Sequence, residues 1–154
     1  MSRVQLALNV DDLDAAVAFY SKLFATEPAK LRAGYANFAI AEPPLKLVLF
    51  EQPGQGGTLN HLGVEVDSSD DVAASAARLS ADGLHTATED DVACCYARQD
   101  KVWVNGPSGE PWEIYTVLAD VEMPGGRLRT VDPGTGAVCC ATAGGEAAGA
   151  GRCC

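Results

Sequence analysis

A chain of 154 residues, 47% apolar and 21% charged, is long enough to bury a sizeable core and too apolar to be wholly disordered or fibrous. Its 11 basic and 21 acidic residues leave a net charge of −10, which argues against nucleic acid or an anionic membrane as partner, because phosphate binding needs a basic patch. No apolar run approaches the ~20 residues of a membrane span, and Met1-Ser2-Arg3-Val4-Gln5 lacks the apolar segment of a secretory signal, so the protein is read as cytoplasmic.

In chain order, the first element predicted is a half-buried strand over Val4–Asp11, with Leu6, Leu8 and Val10 alternating onto one face. Asp11 or Asp12 then caps a helix whose apolar stripe is Leu13, Ala16, Val17, Tyr20, Leu23 and Phe24. Extended segments follow over Tyr35–Ala41 and Leu45–Glu51, separated by Pro43-Pro44. Asn60–Asp67 alternates as the first strand does, placing Leu62, Val64 and Val66 on one face. A second helix starts at Ser68-Ser69-Asp70, carries Val72, Ala73, Ala76 and Leu79 inward, and stops at Gly83. Extended segments at Cys95–Arg98, Lys101–Asn105 and Trp112–Leu118 are divided by polar or Gly/Pro turns, including Gly106-Pro107-Ser108-Gly109.

Composition changes near Asp120. All ten aromatic residues lie at or before Tyr115, whereas residues 121–154 hold eight of the 16 glycines and four of the six cysteines. Such a segment buries too little apolar area to offset its ordering entropy, so 121–154 is read as a flexible Gly/Ala/Cys-rich tail.

The folded part is a repeat. Val4-Gln5-Leu6-Ala7-Leu8-Asn9-Val10-Asp11 aligns without gaps on Asn60-His61-Leu62-Gly63-Val64-Glu65-Val66-Asp67, and each block is followed by a helix and then by extended segments. The fold class expected is α+β: two strand-helix-strand modules, about 1–55 and 56–120, form an open cupped barrel with a shared inner face. Gln5 and His61 occupy the same repeat position, opposite the leucine and valine face, so a pseudo-two-fold axis would bring them together. Glu113, in Trp112-Glu113-Ile114-Tyr115, is a third candidate, although alternation alone leaves open whether it points inward or to solvent. An amide oxygen, an imidazole and a carboxylate suit a divalent first-row metal and leave coordination positions open. Aligning Trp112–Val117 on Leu45–Phe50 sets Lys46 opposite Glu113, so no fourth carboxylate closes the site.

The cysteines form three adjacent pairs, Cys94-Cys95, Cys139-Cys140 and Cys153-Cys154. Neighbouring Cα atoms lie ~3.8 Å apart, short of the ~4.4 Å at which disulfides usually begin, so in a reducing compartment these are thiols available to a soft metal or metalloid.

With these features the sequence resembles the vicinal oxygen chelate superfamily, and within it the ArsI carbon–arsenic lyases and the CadI cadmium-induced proteins. The blocks that carry the resemblance include Ser2-Arg3-Val4-Gln5-Leu6-Ala7-Leu8, Gly34-Tyr35-Ala36-Asn37-Phe38, Asn60-His61-Leu62-Gly63-Val64-Glu65-Val66, Cys94-Cys95-Tyr96-Ala97, Gln99-Asp100-Lys101-Val102-Trp103-Val104 and Gly109-Glu110-Pro111-Trp112-Glu113. The resemblance implies two βαβββ modules, an Fe(II) held by Gln5, His61 and Glu113, and trivalent organoarsenical bound at Cys94 and Cys95. It also implies oxygen-dependent cleavage of the carbon–arsenic bond, for example of methylarsonous acid to arsenite, and a homodimer.

Adjacent strand residues point to opposite faces, so both sulfurs reach one arsenic only from a loop or bulge. The polar run Thr88-Glu89-Asp90-Asp91 is read as a mobile loop that carries substrate inward, and its acidity is expected to raise the thiol pKa values. Tyr96, Lys101, Trp103 and Tyr115 are candidates for lining the cavity, with packing as their other role. Two competing readings remain: a non-catalytic protein that sequesters cadmium or arsenite, in which the tail thiols Cys139, Cys140, Cys153 and Cys154 matter most, and a glyoxalase-like isomerase, in which Cys94-Cys95 would have no purpose.

Overall fold

Two copies of one strand-helix-three-strand unit follow each other along the chain: β1 (Arg3–Val10), α1 (Leu13–Phe24), β2 (Lys30–Arg32), β3 (Tyr35–Ile40) and β4 (Leu45–Glu51), then β5 (Leu59–Glu65), α2 (Ser69–Ala81), β6 (Thr86–Cys94), β7 (Ala97–Asn105) and β8 (Pro111–Asp120). The computed structural model describes residues 2–122, together with the backbone of a hairpin formed by β9 (Leu128–Val131) and β10 (Val138–Ala141). The eight strands form one mixed sheet in the order β2-β3-β4-β1-β5-β8-β7-β6, curled into a half-barrel.

The seam between the modules is the antiparallel pair β1–β5, with Leu6 opposite Leu62, Gln5 opposite Gly63 and Ala7 opposite His61. Because Leu6 and Leu62 are repeat equivalents, the pseudo-two-fold axis passes between them. On either side the order is the same, β1 parallel to β4 and β5 parallel to β8.

Asp12 caps α1 by accepting from the Ala15 amide, and Ser68 caps α2 by accepting from the Asp71 amide, satisfying amides that have no partner inside the helix. Helix α1 packs on β3 and β4, and α2 on β6, β7 and β8. Beneath α1, Leu13, Ala36, Phe38, Ile40, Leu47 and Leu49 form a core flanked by Leu6, Leu8 and Val10. Burial of each large side chain there contributes about 1.5–3 kcal/mol. The opposite, inner face has its own cluster of Ala7, Tyr35, Val48, Phe50 and Tyr96. Among the described residues no helix is long and apolar enough to cross a membrane.

Two expectations are corrected. Thr88–Asp91 is not a free loop but part of the edge strand β6, which pairs with β7 around an irregularity between Glu89 and Val92. An edge strand needs ladder partners on one side only and tolerates charge, so its polar sequence does not reveal it. Asp91, at φ 51°, is fixed there by an ion pair with Arg98 and by its amide donating to Asp100. Likewise, Gln99-Asp100 does not divide two strands. It lies inside the single strand β7, where Asp100 accepts from Ser69 and Gln99 is buried. The three-residue strand β2 is too short to show a period.

In the segment read as a tail, β9 and β10 pair with Cys139 opposite Thr130 and Cys140 opposite Arg129. Cys153 and Cys154 lie outside the described residues.

Candidate metal centre and thiol pair

The seam register explains why two polar side chains meet. Gln5 stands opposite a glycine and His61 opposite an alanine, so each has an unfilled space beside it on the inner face. Glu113 stands opposite Gly63 from the other side, in β8. A methyl group on Gly63 would come within 3.2 Å of both Gln5 Cβ and Glu113 Cγ. Glycine in mid-strand here is a packing requirement of the two side chains above it. That signal was present in the sequence but masked by the strand's regular alternation.

Within this cradle Gln5 Nε2 lies 2.9 Å from His61 Nε2 and donates to Glu113 Oε1 at 2.7 Å, and His61 Nε2 is 3.3 Å from Glu113 Oε1. Donor atoms bound to one cation by ~2.1 Å bonds at right angles stand about 3.0 Å apart, so the cluster has the spacing of three adjacent ligands. Asn60 orients the ring: its Nδ2 donates to Asn9 Oδ1 at 2.8 Å, leaving its Oδ1 to accept from His61 Nδ1 at 2.7 Å. The network therefore assigns the proton to Nδ1 and leaves the Nε2 lone pair facing the centre, the arrangement of a metal-binding histidine. Among the described residues no group of three His, Cys, Asp or Glu side chains gathers as a metal site, because the convergent set here includes the amide of Gln5.

Lys101 donates to Glu113 Oε2 at 2.9 Å, and both residues are buried. Burial alone would raise the Glu113 carboxyl; the Lys101 ammonium, by its charge and its hydrogen bond, outweighs it and holds the group well below the usual carboxylate range. Burial alone would likewise lower Lys101, but Glu113 and Cys94 hold its ammonium above the ordinary lysine value. Lys101 thus neutralises Glu113 and stands within 5.3 Å of the Trp103 ring, while His61 packs edge-on to Trp103. Tyr115 lies fully buried and donates to Gln5 Oε1 at 2.6 Å.

Cys94 ends β6, opposite Ala97, and Cys95-Tyr96 form the two-residue link to β7. Both have positive φ, 54° and 63°, as the turn matching the twist of a hairpin requires. Leaving the strand in this way places the two sulfurs 3.0 Å apart. Tyr96 packs on Tyr35 of the first module, with ring centres 5.3 Å apart. Lys30 donates to its carbonyl at 3.0 Å. The turn is therefore tied to the opposite edge of the half-barrel.

The thiols are not raised together. The hydrogen bond from Cys95 lowers the Cys94 thiol, burial opposes it, and the Lys101 ammonium lowers it further, to about 6. Cys95, half-buried and holding the shared proton, is pushed well above the ordinary thiol value by its hydrogen bond to Cys94 and then by burial. The acidic run does not decide the outcome, since Asp91 is engaged by Arg98. Because the thiolate is the nucleophile, alkylation of Cys94 by iodoacetamide is expected to rise through a midpoint near pH 6, with Cys95 lagging at the same pH. Peptide mass spectrometry across a pH series checks this, and a Cys94 midpoint above 8 contradicts it.

A separate open cavity of about 570 Å³ is bordered by Arg3, Ile40, Glu65, Asp67 and Val117, and includes neither the thiols nor the three convergent residues. The structure thus gathers Gln5, His61, Glu113, Lys101, Trp103 and Tyr115 around one centre. It also adds partners that sequence reasoning passed over: Asn9, Asn60, Gly63 and Glu65.

Residues 3–114 match the Glyoxalase/Bleomycin resistance protein/Dioxygenase superfamily. The chain is 64% identical over 142 residues to the cadmium-induced protein CadI of Mycobacterium tuberculosis, covering 91% of this chain and 93% of that one. It is 65% identical over 123 residues to a trivalent organoarsenical cleaving enzyme of Thermomonospora curvata, covering 79% and 82%. Among solved structures, the Mn(II)-bound glyoxalase from Novosphingobium aromaticivorans is similar with a TM-score of 0.56 and 25% identity, over 79% of this chain and 42% of that one. A repeated βαβββ unit, a seam that gathers polar side chains, and these matches lead to one assignment: the chain belongs to the Glyoxalase/Bleomycin resistance protein/Dioxygenase superfamily.

Proposed function

We propose that the protein is an Fe(II)- and oxygen-dependent carbon–arsenic lyase that degrades trivalent organoarsenicals such as methylarsonous acid to arsenite. The observation that carries this reading is the pairing of two sulfurs 3.0 Å apart with a basic ammonium that serves both them and the Gln5–His61–Glu113 centre. The relative from Thermomonospora curvata, named for cleaving trivalent organoarsenicals, supports the substrate class.

The residues divide the work. Cys94 and Cys95 take arsenic as a dithiolate: two As–S bonds form as two arsenic hydroxyls leave as water, one with the proton held between the sulfurs and one with a proton from solvent. Cys94 as thiolate is the first to attack, and Cys95 closes the chelate. Lys101 keeps Glu113 ionised and stabilises the thiolate. Trp103, Phe50 and Tyr35 wall the site with rings that exclude water. Gln5, His61 and Glu113 would hold iron, which when bound supplies redox activation of molecular oxygen.

Anaerobic, iron-loaded protein given methylarsonous acid and then air is expected to release arsenite. Atom balance with oxygen as sole co-reactant, CH3As(OH)2 + O2 giving As(OH)3 and CH2O, requires one formaldehyde per arsenite. Release that is unchanged in His61→Ala or Cys95→Ser would sink the mechanism. A second reading, sequestration of cadmium or arsenite without turnover, is favoured by the match to CadI over 142 residues; tight cadmium binding with no arsenite release would select it.

A further inference from the structure

Resting on the metal-centre reading above, we infer that Tyr115 and Glu65 form a two-position hydrogen-bond device that sets which end of the Gln5 amide faces the metal. Gln5 turns its amino group toward His61 and Glu113, while Tyr115 donates to its oxygen at 2.6 Å. Without a cation this is the orientation electrostatics requires. The reverse would set the amide oxygen 2.7 Å from Glu113 Oε1, two acceptors with no proton between them.

A cation inverts the preference, because a neutral side-chain amide ligates through its oxygen. A half-turn about the last side-chain bond exchanges oxygen and nitrogen almost in place, so the backbone need not move. The amino group then meets the Tyr115 hydroxyl, which must accept where it formerly donated. Tyr115 is fully buried, so its proton needs a protein acceptor. One is already placed: Glu65 Oε2 lies 3.4 Å from the Tyr115 hydroxyl.

That carboxylate is held by Arg3 Nε at 2.6 Å, with Lys46 Nζ at 3.9 Å. Burial acts to raise Glu65, but the Arg3 bond and the Lys46 charge keep it lowered, hence ionised and able to accept. A hydroxyl rotates to either acceptor without moving its oxygen. Tyr115 is in this way a positioning residue: it makes one bond to Gln5 while the amino group faces inward, but two when the oxygen does, from the Gln5 amino group and to the ionised Glu65, so phenylalanine costs the metal-facing orientation more. Partners of metal ligands typically contribute about 10–100-fold to metal affinity.

The test is a double-mutant cycle read by Co(II) binding, followed through visible absorption of the full chain rather than by turnover. In Gln5→Glu the two oxygens at that position are equivalent and there is no orientation left to set. Tyr115→Phe is expected to weaken Co(II) binding about 10–100-fold and alter the spectrum with Gln5 present, but to weaken it less than about threefold in the Gln5→Glu background. Should Tyr115→Phe not fold, Glu65→Gln is carried through the same cycle, with a loss confined to the Gln5 background expected. Equal losses in both backgrounds, or none in either, overturn the inference while leaving the metal centre standing. Failure of the unmodified chain to bind Co(II), or binding unaffected by His61→Ala, overturns the centre and the inference together.

Discussion

Replacing Lys101 by methionine is expected to destabilise the metal-free protein by about 3–5 kcal/mol, because it strands the Glu113 carboxylate in a place closed to water. Lys101 and Glu113 are 2% and 3% exposed, so solvent cannot substitute for the missing ammonium. Methionine keeps much of the aliphatic stem, which separates loss of charge from loss of packing. The double variant Lys101→Met/Glu113→Gln removes the stranded charge as well and is expected to recover most of the lost stability.

The pH dependence has a definite sign. Glu113 is depressed in the fold, so its contribution is present above the unfolded carboxylate value of ~4.3 and is lost as pH falls toward the folded value. Lys101 is raised, so its contribution is present below the unfolded lysine value of ~10.4 and is lost only as pH rises toward its higher folded value. Without the ammonium, burial raises Glu113 in Lys101→Met, so the difference between parent and variant should be small at low pH and grow as pH rises through the neutral range. Urea unfolding at pH 4 and pH 7 measures it. An equal difference at both values, or one under about 1 kcal/mol at pH 7, contradicts a buried pair of this kind. The same variant should move the Cys94 thiol upward, since Lys101 is among the groups that lower it.

Serine at either position of the thiol pair is expected to cut affinity for methylarsonous acid by about 10²–10⁴-fold, the loss that follows when the second of two linked contacts is removed. The two variants should differ in rate. In Cys95→Ser the remaining thiol is Cys94, which still has a hydroxyl beside it to donate and Lys101 nearby, so association at pH 7 stays fast. In Cys94→Ser the remaining thiol is Cys95, whose half-buried position keeps it protonated, so association is slow. Equilibrium dialysis with arsenic quantification gives the affinities, and stopped-flow quenching of tryptophan fluorescence gives the rates. Unchanged affinity in one variant would mean that a single sulfur binds arsenic, and the hairpin turn would lose its proposed purpose.

Much of this site is legible as pattern. Strict alternation in Val4–Asp11 and Asn60–Asp67 made the repeat visible, and the repeat alone put Gln5 and His61 on equivalent positions of equivalent strands. Capping residues and apolar stripes located both helices, with starts at Asp12 and Ser68. The thiol pair was visible as two adjacent cysteines, and a loop or bulge there was expected only if both bind one arsenic; Cys95, read as the start of an extended segment, lies instead in the turn between β6 and β7.

Other features lay beyond any pattern. Thr88–Asp91 is strand because β7 offers it a ladder, and polarity misleads wherever an edge strand has one side in water. The direction of the Cys94 shift depended first on the hydrogen bond from Cys95, which the turn creates, and then on Lys101, seven residues away along the chain, rather than on the acidic residues beside Cys94.

The sequence by itself determined the two-module architecture, the inward candidates Gln5 and His61 and the paired thiols, because each depends on periodicity or on neighbours along the chain. Only the tertiary structure decided that Glu113 faces inward, that Gly63 makes room for it, that Lys101 bonds Glu113 while its charge also lowers the Cys94 thiol, and that Tyr115 bridges Gln5 to Glu65. Those four facts rest on cross-strand register and on distances between residues as many as 110 positions apart. Electrostatics acts through space, so the charge state of the site is set by neighbours that the order of the chain does not display.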